Sequence, residues 1–302
     1  MTTEPIKYIT KVSITNLWQR FDMEWNLFPD VNILAGINGS GKTTILNLIY
    51  DIIKGYRIAN RFQMEEDIAE EAKVLFSDET YCSFKLEEGD IHTTGGFFAN
   101  VEIIGSFDQK LKPSEAIEKL SDEKVKTELD WEIYHLQKEY LDYQLNISKR
   151  KDDILEKSQD AKTDIAKVRY PQNRFWEMID TLFYATGKKV DRKKNEISFL
   201  TLEGKELTAY QLSAGEKQLI IILLTVLVQD NEQGILLMDE PELSLHIDWQ
   251  KKLIGFIREL NPNLQLIVAT HSPAIIMEGW LDKVFEISDI TTKDRSKVNA
   301  NA

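Results

Sequence analysis

Residues 31–44 read VNILAGINGSGKTT, an apolar run of five residues that passes directly into a glycine-rich turn. From Thr43 onward the apolar residues recur at helical spacing, and Gly55 is suited to end that helix. Two later apolar runs, 234–238 and 264–269, have the composition of strands that are buried on both faces of a parallel sheet. The sequence therefore predicts an α/β fold built on a parallel sheet.

The glycine-rich turn matches the pattern G-x-x-x-x-G-K-T and lies between a predicted strand and a predicted helix. Its glycines let backbone N–H groups curl around phosphate oxygens, which the positive helix end also attracts. We expect Lys42 to contact the outer phosphates of ATP and the Thr43 hydroxyl to bind Mg²⁺. The alternative, a chance glycine turn, is disfavoured by the context on both sides. The predicted nucleotide-binding residues here are Asn38, Gly39, Ser40, Gly41, Lys42, Thr43 and Thr44.

Two adjacent carboxylates, Asp239 and Glu240, end the apolar run 234–238 and are followed by Pro241. At the carboxyl end of a strand, Asp239 can bind the metal and Glu240 can orient and activate a water molecule. The alternative is a pair of acidic turn residues that cap the next helix. A phosphate-binding loop earlier in the chain favours the catalytic interpretation.

Residues 212–218, LSAGEKQ, precede a strongly apolar helical stretch. Ser213 with Glu216 three residues later forms the pattern of a capping box, which needs no ATP, and taken alone this structural interpretation is favoured. The same geometry leaves helix N–H groups and the Ser213 hydroxyl pointing outward, and Gly215 would let a phosphate approach closely. Both interpretations stay open from the residues alone.

His271 follows the apolar run 264–269 within the sequence ATHSP. A histidine at the carboxyl end of a strand lies on the ligand edge of an open α/β sheet and could hydrogen-bond a phosphate or the attacking water. A single histidine in such a place is more often a satisfied core or rim residue.

Taken together and in this order, the four motifs resemble those of the ABC-ATPase superfamily: Walker A, signature, Walker B and switch histidine. The sequence looks most similar to the soluble branch, which includes RecF-like, SMC-like and OLD-family ATPases and the ATPase subunits of Septu-type and retron-linked anti-phage systems. The resemblance implies an ABC-ATPase head, a P-loop NTPase mixed sheet with an N-terminal antiparallel β subdomain, that carries a short helical insertion.

The same resemblance implies an ATP sandwich between two copies of the chain. Ser213 and Gly215 of one copy would touch the γ-phosphate held by Lys42 of the other, with Glu216 among the nucleotide-binding residues, and His271 would sense that phosphate. Gln109 is the candidate for the Q-loop. His246 is expected at the dimer interface, and a helix-capping role is an equal alternative for it.

Composition limits the partners and the compartment. The 302 residues carry a formal net charge of −13, so any contact with DNA or RNA would need a local basic patch. One cysteine, Cys82, excludes an intrachain disulfide and fits a reducing compartment. Neither a leader pattern nor an apolar run of membrane-spanning length is present in the sequence, so we expect a cytoplasmic protein with no membrane partner.

The chain divides by composition into four segments. Residues 1–112 are predicted to form the first part of the head, 113–170 a charged helical insertion, 171–290 the second part of the head, and 291–302 a polar, frayed tail. Pro171 is expected to end the insertion, and 172–190 to be helical with an end near Gly187. Trp18 and Phe21 could stack on adenine, although core packing is favoured for both.

These features predict a dimeric, Mg²⁺-dependent ATPase that switches a separate effector or nuclease protein, in anti-phage defence or DNA maintenance. The charged insertion could be the partner surface or a merely solvated hairpin. The alternatives are the ATP-binding subunit of a membrane transporter, a scaffold that binds ATP without turnover, and a DNA repair ATPase. For the last, the basic runs 149–151, 188–189 and 192–194 are the candidate contacts.

Overall fold

The computed structural model describes residues 7–55, 68–87, 90–95, 100–105 and 125–295. These residues form two compact units. The first contains the described residues of 7–105 together with 233–242 and 263–295, and the second contains 125–232 and 243–262. Gln109 lies outside the described residues, as does the part of the predicted insertion before residue 125.

In chain order the strands are β1 (Ile9–Leu17), β2 (Phe21–Asn26), β3 (Val31–Ala35), β4 (Glu71–Phe76), β5 (Tyr81–Glu87), β6 (Asp90–Thr94), β7 (Val101–Ile104), β8 (Lys188–Val190), β9 (Ser198–Thr201), β10 (Glu206–Thr208), β11 (Gly234–Asp239), β12 (Leu264–Thr270), β13 (Val284–Glu286) and β14 (Thr291–Asp294). The helices are α1 (Lys42–Lys54), α2 (Glu128–Lys157), α3 (Ala161–Phe183), α4 (Ala214–Val228), α5 (Ile247–Leu260), α6 (Pro273–Met277) and α7 (Ile287–Ile290). Short 3₁₀ turns lie at Tyr184–Thr186, Ala209–Gln211 and Leu281–Lys283.

A parallel sheet in the first unit has the strand order β13-β3-β12-β11-β7. Every residue of β11 and β12 is buried, which explains why these strands read as continuous apolar runs rather than alternating ones. Because the strands are parallel and in register, β3, β11 and β12 end at the same edge of the sheet. The three sequence motifs that follow these strands are thereby brought to one edge.

An antiparallel sheet in the same unit has the order β14-β2-β1-β4-β5-β6. Its strand β4 alternates buried and less buried residues, the pattern of a sheet with one face on a core, and β1 does so between its two register shifts. The predicted N-terminal antiparallel β subdomain is therefore present, with β2 beside β1. The prediction of a frayed tail from Thr291 is wrong for 291–295, because β14 pairs with β2 and Arg295 donates to Asp22 at 2.8 Å.

Helix α1 follows the glycine-rich turn as predicted. It packs on strands of the parallel sheet, and its buried face includes Ile45, Leu48, Ile49 and Ile52. Gly55 ends it in the left-handed conformation, with its N–H donating to the Asp51 carbonyl.

The second unit contains two long helices, α2 and α3, which pack on each other and on the apolar helix α4. The predicted boundary at Pro171 is wrong, since α3 continues through that proline to Phe183. Proline removes one intrahelical hydrogen bond. Residues that follow it, including Phe175, Ile179 and Phe183, are fully buried, and this burial can offset that loss.

A small antiparallel sheet of order β10-β9-β8 completes the second unit. Strands β9 and β10 pair as a hairpin. The predicted helical stretch with its end near Gly187 is present as the end of α3 and the 3₁₀ turn Tyr184–Thr186, whereas Lys188–Val190 forms β8. Gly187, in the left-handed conformation, makes the turn between them.

Candidate functional site

The glycine-rich loop between β3 and α1 is shaped as a phosphate cradle. Gly41 adopts φ +95°, which is strained for any other residue, and a Cβ atom there would lie 1.8 Å from the Trp18 ring and displace it. The Trp18 indole therefore covers the start of α1. It also packs edge-to-face against Phe21, with 6.2 Å between the ring centroids. The adenine-stacking role of either aromatic stays a prediction.

Lys42 lies within this loop, with only 4% of its surface exposed. Its ammonium donates to the carbonyl oxygens of Gly36 and Ile37, both at 3.0 Å. The Ser40 hydroxyl is buried without a hydrogen-bond partner among the described residues. Among the described residues, the buried ammonium is thus bound by carbonyl oxygens, and a buried hydroxyl beside it makes no hydrogen bond. Both features fit a loop that binds an anion such as the phosphates of ATP.

Thr43 and Asp239, the two predicted metal ligands, lie side by side. The Thr43 hydroxyl donates to Asp239 Oδ1 at 3.1 Å. Burial raises the pKa of the Asp239 carboxyl, and the nearby charges of Glu240 and Glu242 add to this, while Thr43 and Lys42 oppose it. A bound cation would relieve that repulsion, so the pair fits Mg²⁺.

The parts of the chain that the structure describes contain no group of three or more histidine, cysteine or acidic side chains suited to hold a metal. Thr43 and Asp239 would thus provide only two of the six oxygen ligands that Mg²⁺ prefers. Phosphate oxygens and water would supply the others, as is usual where the metal binds together with a nucleotide.

Glu240 stands at the end of β11 with φ +48°, a strained conformation for a residue that is not glycine. Its N–H donates to the Ala269 carbonyl at 2.8 Å, which fixes this turn against β12. His271 Nδ1 lies 3.7 Å from Glu240 Oε1. The structure therefore brings the predicted catalytic pair, Glu240 and His271, together at the edge where Asp239 also lies.

Glu242 is a further member of this site that the sequence analysis missed. Its side chain is 4% exposed, and Oε1 accepts from the Thr270 hydroxyl at 2.6 Å and from the His271 N–H at 3.0 Å. The same oxygen lies 3.3 Å from His271 Nδ1. Glu242 thus positions the histidine. The sequence feature that could have indicated Glu242 is that it is the third carboxylate in DEPE.

The signature segment in the second unit shows the full capping box at the start of α4. Ser213 caps the helix, its hydroxyl accepts from the Glu216 N–H, and the Glu216 carboxylate accepts from the Ser213 N–H at 3.0 Å. Ser213 and Ala214 are exposed at the helix tip. The structural role predicted for this motif is present, and it leaves the tip accessible to a phosphate.

Glu216 itself points inward. Its side chain is 1% exposed and accepts from Lys188 at 2.7 Å and from Thr186 at 2.9 Å. Burial would raise the pKa of its carboxyl, but hydrogen bonds from Lys188, Ser213 and Thr186 together lower it. Its predicted contact with nucleotide stays a prediction, and the geometry favours a role in positioning the Ser213 tip.

Gly215 allows a close approach by the chain's own backbone. A Cβ atom at this position would lie 2.2 Å from the Ser244 carbonyl oxygen. From the sequence, we attributed the lack of a side chain at this position to the approach of a phosphate. The structure shows that the chain's own backbone also requires it. The signature segment therefore packs directly against the backbone of the residues before α5.

We expect Gly215→Ala to destabilise the second unit by about 1–3 kcal/mol, because the new methyl group must displace a backbone carbonyl. Gly255→Ala is the matched control, since a Cβ atom on this exposed position of α5 meets nothing within 4 Å. Helix propensity predicts that the control gains about 1 kcal/mol. Thermal unfolding of both variants checks this, and equal melting temperatures would contradict the packing described.

His246 caps α5, and its Nδ1 accepts from the Asp248 N–H at 3.3 Å. The predicted capping alternative is thus observed. The imidazole is also exposed, so a place at a dimer interface stays a prediction.

A protein-family model described as "AAA domain, putative AbiEii toxin, Type IV TA system" matches residues 31–278, which include the phosphate loop, the signature, the acidic strand end and His271. The chain belongs to this AAA family. Within the described residues, no helix is long and apolar enough to cross a bilayer.

Curated relatives of this AAA-family chain include named ATPases. It is 28% identical over 113 residues to the Retron Vc95 probable ATPase of Vibrio cholerae serotype O1 biovar El Tor, covering 34% of this chain and 22% of that protein. It is 38% identical over 60 residues to the Septu protein PtuA of Bacillus thuringiensis, covering 20% and 15%. The matched regions thus span less than a quarter of these relatives' own length.

Among solved structures, the chain is similar to the Smc head domain with an extended coiled coil, bound to the C-terminal domain of ScpA, from Pyrococcus furiosus. The TM-score is 0.56 at 15% identity, covering 98% of both chains. A second similar structure is the recombination mediator protein RecF, with a TM-score of 0.50 at 16% identity, covering 97% of this chain and 100% of that one. The predicted ABC-ATPase head fold and the kinship with retron and Septu ATPases are confirmed.

Proposed function

We propose that this AAA-family chain hydrolyses ATP at the site formed by Lys42, Asp239 and Glu240, and does so between two copies of itself. The hydrogen bond from Thr43 to Asp239 carries the proposal, because it joins the phosphate loop to the acidic strand end. Lys42 would bind the outer phosphates, and Mg²⁺ would neutralise part of their charge.

Within this proposal, Glu240 accepts the proton of the attacking water. Its backbone is fixed to β12, and its carboxylate lies beside His271. Glu242 holds the N–H of His271, so the imidazole can bind the terminal phosphate or the water in one orientation. The strain at Glu240 is consistent with a side chain that must point away from the strand toward a substrate.

The second copy would contribute the exposed start of α4. Its free helix N–H groups form an anion-binding end, and buried Glu216 keeps that end in place. The Ser213 hydroxyl, which donates to Glu216 Oε2 at 3.0 Å, would turn from that carboxylate to the phosphate. Binding of ATP would join the two copies and hydrolysis would separate them.

We infer that this cycle controls a separate effector protein in anti-phage defence or DNA maintenance. Relatives named for retron and Septu systems support this context. The long helices α2 and α3 are the proposed partner surface, since α2 packs directly on the signature helix α4. A change at the Ser213 tip could therefore reach them.

A mixing experiment tests the shared site. Lys42→Ala and Ser213→Arg should each abolish turnover alone, because each damages a different half of both sites. In an equal mixture, half of the dimers carry both kinds of chain and keep one intact site of two, so roughly a quarter of wild-type activity should return. Phosphate release measures the outcome.

The control mixture combines Lys42→Ala with Glu240→Gln. Both lesions lie in the half that contains the phosphate loop, so every site in a mixed dimer stays defective and no activity should return. Recovery in neither mixture would reject the proposed sharing of the site, and equal recovery in both would reject the assignment of the two halves.

A further inference from the structure

A groove of about 220 Å³ lies in the second unit, between the facing sides of α2 and α3 and the turn that joins β8 to β9. The two helices contribute side chains at helical spacing, and the turn contributes four consecutive residues. The lining consists of Gln144, Ile147, Ser148, Lys151, Arg169, Gln172, Trp176, Arg192, Lys193, Lys194 and Asn195.

Cations dominate this lining. Five of the eleven residues are lysine or arginine, and none is aspartate or glutamate. In a chain with a formal net charge of −13, such a concentration of positive charge departs from the overall composition. The structure here brings together cations from residues 151, 169 and 192–194, which are separated along the sequence.

The charges are only partly neutralised within the chain. Arg192 pairs with Asp180 at 2.7 Å and Lys194 with Glu206 at 3.2 Å. Across the described ranges of the chain, Lys151, Arg169 and Lys193 have no carboxylate partner. Lys151 and Arg169 are also half-buried, so each loses part of its hydration without an ion pair to offset the cost.

The floor of the groove is rigid. Ile147, Gln172 and Trp176 are buried there, and the Gln172 amide donates to the Tyr140 hydroxyl at 3.1 Å. The Gln144 amide donates to the Asn195 carbonyl at 3.1 Å and so ties the basic turn to α2. The cations are therefore presented on a fixed frame, which reduces the entropy lost when an anion binds.

We propose that this groove binds the phosphate backbone of a nucleic acid strand. An anionic partner would offset the hydration that the unpaired, half-buried cations have lost. Hydrogen bonds from lysine and arginine to a charged phosphate are stronger than those to a neutral acceptor. Two further exposed cations, Lys149 and Lys189, lie close in sequence to the lining residues Lys151 and Arg192. These additional cations favour a chain of phosphates over one small anion.

Fluorescence anisotropy with a labelled single-stranded DNA of about 20 nucleotides tests the proposal, since such a strand exceeds the usual site size of one binding module. The double variant Lys151→Gln/Arg169→Gln should weaken binding at least tenfold and reduce the salt dependence of log K by about 1.4, the loss of two phosphate contacts. Lys157→Gln/Lys162→Gln removes two exposed cations from the same helices outside the groove, and its affinity should stay within twofold of wild type.

Two further variants separate the groove from other causes. Lys151→Arg/Arg169→Lys keeps both charges and should retain binding, which excludes misfolding as the reason for any loss. Lys42→Ala, measured without ATP, should bind the strand like wild type, so failure of the proposed ATPase would not affect this result.

Duplex DNA, single-stranded RNA and inorganic tripolyphosphate serve as competitors. Displacement by any of the nucleic acids at lower phosphate concentration than by tripolyphosphate supports a polynucleotide ligand. If tripolyphosphate binds in the groove while no polynucleotide does, or if both glutamine double variants bind DNA equally, the proposal is wrong.

Discussion

Glu240→Gln is expected to lower ATP turnover by about 10²–10⁴-fold, the range associated with loss of a general base. The amide cannot accept a proton from water, but it preserves the shape of the side chain and its turn at the end of β11. Lys42, Thr43 and Asp239 keep their contacts, so ATP binding should persist. Phosphate release and binding of a fluorescent ATP analogue measure the two effects separately.

The matched control is Glu232→Gln, which makes the same change on an exposed glutamate away from the acidic strand end. Its turnover should equal that of wild type. Unchanged hydrolysis in Glu240→Gln would reject the role of Glu240, and loss of ATP binding with turnover would point to a merely structural effect.

Lys217→Met is expected to destabilise the second unit by about 3 kcal/mol at pH 7, because it leaves the Asp130 charge buried without its partner. Lys217 Nζ lies 2.7 Å from Asp130 Oδ1, and the two side chains are 11% and 4% exposed. This ion pair joins the signature helix α4 to the start of α2. Backbone N–H groups of Lys126 and Thr127 still bind the carboxylate, so the destabilisation should lie at the lower end of the range for a broken buried ion pair.

The destabilisation caused by Lys217→Met should become smaller at acid pH. Burial would raise the pKa of Asp130, but hydrogen bonds from Lys217, Lys126 and Thr127 together lower it below its ordinary value of 3.8. A lowered folded-state pKa contributes stability above the unfolded-state value, and this stability is lost as pH falls through the folded-state value. The difference between wild type and Lys217→Met should thus narrow below about pH 4.

Urea unfolding at neutral and acid pH checks this expectation. Lys217→Met/Asp130→Asn should recover part of the stability, since no uncompensated charge remains. Lys157→Met, which breaks an exposed pair with Asp153, should behave like wild type. A destabilisation that is the same at pH 3 and pH 7 would contradict the electrostatic explanation.

The sequence predicted the parts of the site that are local to the chain. A phosphate loop, a capping box and a strand that ends in carboxylates each lie within about eight residues, so spacing alone defines their geometry. The parallel sheet then brings the phosphate loop and the carboxylates together with His271, because the strands that end before Gly36, at Asp239 and before His271 are in one register. This is why the site at one edge of the sheet could be predicted.

Features that depend on distant contacts could not be predicted in the same way. Glu242 matters because Thr270 and His271 donate to it, and no local pattern reveals those donors. Likewise, the reason for Gly215 is the Ser244 carbonyl, and Thr291–Asp294 is ordered because β2 offers it a free edge. The proline rule failed at Pro171 because tertiary burial outweighed one lost hydrogen bond.

The basic groove shows the same limit for a binding surface. Apart from Arg169, its lysines and arginines were visible in the sequence as separate runs, each of which is typical of a solvated turn. Only the packing of α2 and α3 beside the turn after β8 places Lys151 and Arg169 with Lys193.

Light scattering of Glu240→Gln with Mg²⁺ and ATP tests most directly whether two chains close around the nucleotide. The chain has a mass of 35.0 kDa. With ATP bound and hydrolysis blocked, the particle should have twice that mass, and adding Ser213→Arg should return it to the mass of one chain. A particle that stays at the mass of one chain while ATP is bound would contradict the account.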